Sequence, residues 1–222
     1  MHRRRGRRAD GMKFYLVSQR LEEAKKAAGF GFVHGLAVPR AEVVATGRDY
    51  RALVRELSVL PFHRICAQSD GLDARSLVDE ARELADGLTG RFILLAPVTL
   101  ESIRAAAELQ GTLSFALDMV ASSVQAVAAA RAGAHAVCLP SRRFMSGGLD
   151  VCVAAGEMRA AFERYDLSTE VWVHDPRDAA ELGRLIKSGV DAVLCGWELL
   201  RTVAYHPFTD RGIERLLAEW RD

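Results

Sequence analysis

The chain has 222 residues, half of them hydrophobic and 7% aromatic, with a formal net charge of +1. This balance excludes a disordered or collagen-like chain and gives no general attraction for polyanions. Arg131 and His135 interrupt the alanine-rich region, so no apolar run reaches the ~20 residues a membrane span needs.

The cysteines Cys66, Cys138, Cys152 and Cys195 show no Cys-x-x-Cys spacing, and three of them fall inside expected strands. They read as free thiols in the core of one reduced, cytoplasmic domain. Residues 1–11 carry five arginines and run straight into a strand without the apolar core of a secretory signal. They read as a disordered basic tail, with polyanion binding through those arginines as the alternative. Because the near-neutral remainder offers no second basic patch, nucleic acid is not an expected partner.

From Met12 the chain alternates without a break. Lys13 to Val17 is a strand, and the helix from Leu21 to about Ala28 puts Glu22, Glu23, Lys25 and Lys26 opposite its apolar side. Phe30 to Val38 is the second strand. A helical stretch broken near Gly47 resumes over Tyr50 to Leu60 and is ended by Pro61. His63 to Gln68 is strand three, and Leu77, Ala81 and Leu84 mark the buried stripe of the next helix.

Residues 91 to 99, Arg-Phe-Ile-Leu-Leu-Ala-Pro-Val-Thr, form a short apolar run of the kind found in a strand buried on both faces. The helix Leu100 to Gln110 follows. Thr112 to Asp118 is strand five, the helix from about Ser122 to Ala132 packs on it, and His135 to Leu139 is strand six. Pro140 to Gly148 reads as a basic loop and Val151 to Tyr165 as a long helix. Glu170 to His174 is strand seven, with Pro176 near the first position of its helix. Ala192 to Cys195 is strand eight, followed by a helix over Glu198 to Tyr205.

Eight strand-helix pairs spaced about 25 residues apart predict a (β/α)8 TIM barrel over 12–205. No Gly-x-Gly-x-x-Gly follows a strand, which disfavours a dinucleotide fold. Residues 206–222 remain as an extra amphipathic C-terminal helix carrying Ile213, Leu216, Leu217 and Trp220, placed to cap the barrel or to pack on a neighbouring subunit.

The run His206-Pro207-Phe208-Thr209-Asp210-Arg211-Gly212-Ile213-Glu214-Arg215-Leu216-Leu217-Ala218-Glu219-Trp220 resembles the C-terminal signature of the small transaldolases and fructose-6-phosphate aldolases. Met12 to Leu16, Ala67-Gln68, Pro97-Val98-Thr99, Ala130 to Ala134, Thr169 to Val171 and Asp175-Pro176-Arg177 are similar to other segments of that family. The resemblance implies a barrel that performs reversible aldol chemistry through a Schiff-base lysine on strand four, with no cofactor and no metal. It also implies homo-oligomers, pentamers or decamers, in which the last helix reaches a neighbour.

Against that pattern several positions depart. The family's strand-four Val-Val-Lys-Val-Pro reads Ile93-Leu94-Leu95-Ala96-Pro97 here, so Leu95 takes the place of the lysine. Val17 takes the place of the strand-one aspartate, the asparagine turn after strand two reads Ala37-Val38-Pro39, and the phosphate-binding segment after strand seven is missing between Val173 and Asp175. An iminium needs a primary amine in the pocket. The only lysines are Lys13, Lys25, Lys26 and Lys187, expected on outer helices or at the start of strand one. The expectation is therefore a barrel degenerate for Schiff-base chemistry that binds a sugar phosphate or other small anion.

What remains is polar. Gln68 matches the family's strand-three Gln or Glu, and Arg143 its phosphate-facing arginine, with Arg142 and Ser141 beside it as anion ligands. Asp118 and His174, followed by Asp175, stand at the ends of strands five and seven. An acid beside an imidazole suits proton transfer near neutral pH, so the alternative is a lyase or isomerase acting on a phosphorylated sugar through Asp118 and His174. The bland reading makes Asp118 an N-cap and His174 a rim histidine. Asp118, His174 and Asp175 are also a conceivable metal set, but spacing alone brings no three of them together, and no metal is assigned.

Overall fold

The computed structural model describes residues 11–88 and 90–220. The basic tail falls outside them except for Gly11. The elements, in chain order, are β1 (Lys13–Val17), α1 (Leu21–Ala28), β2 (Val33–Val38), α2 (Arg40–Ala45), α3 (Tyr50–Ser58), β3 (Arg64–Gln68), α4 (Ala74–Leu84) and β4 (Phe92–Pro97). There follow α5 (Leu100–Leu109), β5 (Ser114–Asp118), α6 (Ser123–Arg131), β6 (Ala136–Pro140), α7 (Ser141–Ser146), α8 (Val151–Arg164) and β7 (Glu170–His174). The chain ends with α9 (Ala179–Ser188), β8 (Ala192–Gly196), α10 (Trp197–Leu200) and α11 (Pro207–Glu219).

All eight strands are parallel and close in sequence order, β8 pairing with β1. The fold is the expected (β/α)8 barrel with an additional C-terminal helix. Alternation along each strand divides the core in two. Leu16, Leu36, Ile65, Leu94, Leu117, Val137, Val173 and Val193 face outward and pack with the helices. Inside the barrel lie Tyr15, Ala37, Cys66, Ile93, Leu95, Ala116, Ala136, Cys138, Trp172, Ala192 and Leu194, with Val17 at their edge.

The interior is filled by two large rings among aliphatic and small residues. Tyr15 and Trp172 meet with centroids 5.0 Å apart. Gly35 sits on the same inner face, and a Cβ there would stand 2.4 Å from the Tyr15 ring and 2.9 Å from the carbonyl oxygen of Arg64. Glycine is therefore required at this position by close approach. At the N-terminal end, Lys13 Nζ donates to Glu170 Oε1 at 2.5 Å while Trp172 Nε1 donates to Glu170 Oε2 at 2.8 Å.

Several boundaries differ from the sequence reading. Strand two starts at Val33 rather than Phe30, because Gly31 turns the chain at φ +73° before pairing begins. The expected basic loop after strand six is instead helical. Pro140 supplies an extended N-cap, buried Phe144 anchors the turn, and Gly147 ends it. Pro176 precedes its helix rather than opening it, since Asp178 is the N-cap and accepts from the Glu181 amide at 2.8 Å. The expected helix over Glu198 to Tyr205 shortens to Trp197–Leu200 and continues as turns.

Candidate functional site

The C-terminal ends of the strands surround a cavity of about 230 Å³. Val17, Ala37, Pro39, Gln68, Leu95, His174, Asp175 and Leu194 contribute to its lining, with Glu42 reaching in from α2. Leu95 points inward and is 2% exposed. No lysine is among the lining residues. Lys13 is held by Glu170 at the opposite end, Lys25 and Lys26 lie on α1, and Lys187 lies on α9.

Three neighbouring strands bring polar groups to this mouth. Asp118 ends β5, Cys138 lies on β6 and His174 ends β7. Inward orientation passes from Ala116 to Asp118, from Ala136 to Cys138 and from Trp172 to His174, each two residues on. Asp118 Oδ2 stands 3.5 Å from His174 Nδ1. The other oxygen, Oδ1, accepts the Met119 amide at 2.7 Å. Met119 holds φ +61°, a left-handed conformation uncommon for a side chain of its size.

The electrostatics of the cluster follow from its burial. Removal from water pushes the Asp118 carboxyl above the usual range, against the opposing pull of His174, the Met119 amide and Arg143. Burial and the adjacent Asp118 carboxylate push the Cys138 thiol well up. Such a thiol is no ready nucleophile. Asp118 does not cap the next helix: Ser122 takes that role and accepts from the Gln125 amide at 3.3 Å.

The remaining sequence candidates are placed as follows. Gln68 lines the cavity, and its Oε1 accepts the backbone N–H of Arg40 at 2.9 Å while its own N–H donates to Tyr50 Oη at 2.7 Å. Arg142 and Arg143 are exposed on α7. Arg142 Nε meets Asp175 Oδ2 at 2.5 Å, so one of the two guanidiniums is shared with an acid at the rim. Ser141 is buried and donates its hydroxyl to Glu181 Oε2 at 2.8 Å, which ties it to the base of α9. Cys138 and Glu42 are members of the site that the sequence reading left out. An inward parity count from Trp172 and its ladder neighbour would have found the cysteine, whereas Glu42 lies on α2, outside any strand pattern.

Barrel and mouth together define a (β/α)8 protein whose polar groups converge at the C-terminal face, where this architecture carries its chemistry. Over 210 residues the chain is 30% identical to a probable transaldolase of Methanococcus maripaludis, spanning 94% of this chain and 97% of that protein. It is 28% identical over 211 residues to a probable transaldolase of Syntrophomonas wolfei, covering 95% and 99% of the two chains. A probable transaldolase of Roseiflexus castenholzii is 29% identical over 212 residues, with 95% and 97% covered. The chain belongs to the transaldolase family.

No family model matches the chain. Among solved structures, a mandelate oxidase mutant aligns with TM-score 0.59 at 19% identity over 95% of this chain and 72% of that one. A designed cube-shaped protein cage built by fusing symmetric oligomeric domains aligns with TM-score 0.56 at 18% identity, over 84% of this chain and 63% of the cage chain. At these identities the likeness is one of fold alone. Among the described residues no helix is long and apolar enough to cross a membrane.

Proposed function

We propose that this transaldolase-family barrel binds a small anionic ligand of the sugar-phosphate class at its mouth and does so without forming a Schiff base. The observation that carries this reading is the inward position of Leu95 in a cavity lined by no lysine. A ketose cannot be captured as an iminium by aliphatic carbon. Arg143 at the rim supplies a guanidinium for the ligand's anionic group, supported by Arg142, which Asp175 holds in place. Borohydride reduction in the presence of dihydroxyacetone or fructose 6-phosphate, followed by mass spectrometry, tests it. The expected result is an unmodified chain, and a reduced adduct on any lysine would overturn the reading.

A second reading is favoured by the 3.5 Å approach of Asp118 to His174. An acid and an imidazole in contact at the mouth are placed for proton transfer at a carbon next to a carbonyl, which is lyase or isomerase chemistry. In it Gln68 orients the ligand and Arg143 binds its anionic end.

Self-association is part of the same proposal. Helix α11 buries none of its residues within the single chain, and Ile213, Leu216, Leu217 and Trp220 recur on one face at helical spacing. A contiguous apolar stripe of this kind is suited to a second copy of the chain.

A further inference from the structure

We infer that Asp118, Cys138 and His174 form a binding site for one divalent transition-metal ion of the zinc type, with its fourth coordination position open to the cavity at the barrel mouth. The inference rests on the Schiff-base-free reading of that mouth and not on the acid–base reading, because a bound ion occupies the atoms a proton shuttle would need.

The donor atoms of the three side chains all lie within 4.8 Å of one another. Tetrahedral zinc with one sulfur, one nitrogen and one oxygen ligand sets them about 3.3–3.8 Å apart. Asp118 Oδ2 and His174 Nδ1 already stand at 3.5 Å. Only the cysteine sulfur has to close in, by at most about 1.5 Å.

The donor set selects the ion. A thiolate, an imidazole and a single carboxylate suit zinc or cobalt, whereas magnesium and calcium demand a cage of oxygens that these residues do not offer. Thiolate and carboxylate together balance a dication, so the filled site is neutral among the alanines and leucines of the barrel interior. Binding displaces the thiol proton to solvent, since a coordinating cysteine is deprotonated by the ion itself.

The surroundings are built accordingly. The Met119 amide holds Asp118 Oδ1 at 2.7 Å and leaves Oδ2 turned toward His174. Outer contacts that fix a ligating carboxylate in this way are characteristic of metal sites. Asp118 and Cys138 are buried while His174 lines the cavity, so an ion held by the three would be approached from the cavity on the His174 side. That is the arrangement of a catalytic zinc, which polarises a carbonyl oxygen bound at its open position. The ligand class is thus a hydroxy-carbonyl compound with an anionic group for Arg143.

Metal-stripped protein titrated with Co²⁺ reads the site without any assay of turnover. The expected result is one Co²⁺ per chain, with the visible bands of a four-coordinate ion and a thiolate charge-transfer band, both lost on adding one equivalent of Zn²⁺. Cys138→Ser should abolish the charge-transfer band, His174→Gln should weaken binding about a hundredfold or more, and Cys152→Ser on α8 should change neither. X-ray absorption of the zinc-loaded wild type gives the same information without a variant, as one sulfur at about 2.3 Å and lighter atoms at about 2.0–2.2 Å. Absence of a thiolate band, its survival in Cys138→Ser, or a zinc shell without sulfur would each overturn the inference. None of these outcomes alters the borohydride result, so the metal site and the Schiff-base-free reading fail separately.

Discussion

Asp118 and His174 lie on strands that are not neighbours, yet Asp118 Oδ2 and His174 Nδ1 approach to 3.5 Å across the Cys138 position of the intervening β6. The contact exists because all three side chains point into a closed barrel. If the pair moves protons, Asp118→Asn and His174→Gln should each slow solvent deuterium exchange into a bound sugar phosphate by 10² to about 10⁴-fold. Proton NMR in D₂O measures this. Asp70→Asn, which removes only a rim partner of Arg40, should leave the exchange rate unchanged.

Leu95→Lys places a primary amine in the cavity. Surrounded by Ile93, Ala116 and Leu194, that amine loses much of its hydration and is held neutral more readily than a surface lysine. The variant should become trappable by borohydride with dihydroxyacetone while the parent chain does not. An adduct in both proteins, located on the same lysine, would contradict the reading of the mouth.

At the other end of the barrel, burial pushes the Glu170 carboxyl up, but the hydrogen bonds from Lys13 and Trp172 and the Lys13 charge outweigh it and hold the group below the usual glutamate range. A depressed pKa means stability that is fully present above the unfolded value near ~4.3 and is lost as the pH falls below it through the folded value. Glu170→Gln removes that dependence. In urea titrations at a series of pH values, the stability gap between wild type and Glu170→Gln should shrink as the pH drops below about 4. A gap that widens there would have the wrong sign.

Gly35→Ala tests the filling of the barrel. The new methyl would overlap the Tyr15 ring, which Trp172 backs at 5.0 Å and keeps from retreating. The expected loss is about 1–3 kcal/mol, a fall in Tm of roughly 2–4 °C for each kcal/mol in a chain of this size. Gly183→Ala, where a Cβ meets nothing within 4 Å, serves as the control and should cost nothing measurable.

Leu216→Asp in α11 sets a charge in the middle of the exposed apolar stripe. Light scattering should show an oligomer for the parent chain and a shift to monomer for the variant, with the barrel's circular dichroism unchanged. Equal masses for the two proteins would remove α11 as the contact between copies.

The order of the eight strands was legible in the sequence, since short apolar runs and amphipathic helices are local patterns that burial imposes on each segment in turn. Element ends were less so. The basic segment Pro140 to Gly148 after strand six reads as a loop, but burial of Phe144 against the core makes Ser141–Ser146 a short helix. Of the site, Asp118, His174 and Gln68 were found as polar residues at strand ends. The engagement of Ser141 with Glu181 was not visible, because the two residues come from α7 and α9.

The sequence by itself determined that the barrel would form and that position 95 would carry no amine, because both follow from which side chain stands at each place in a local pattern. Only the tertiary structure decided that Asp118, Cys138 and His174 share one point in space. Their meeting depends on the closure and stagger of the barrel, which set how far each strand end rises into the mouth, and no single segment contains that information.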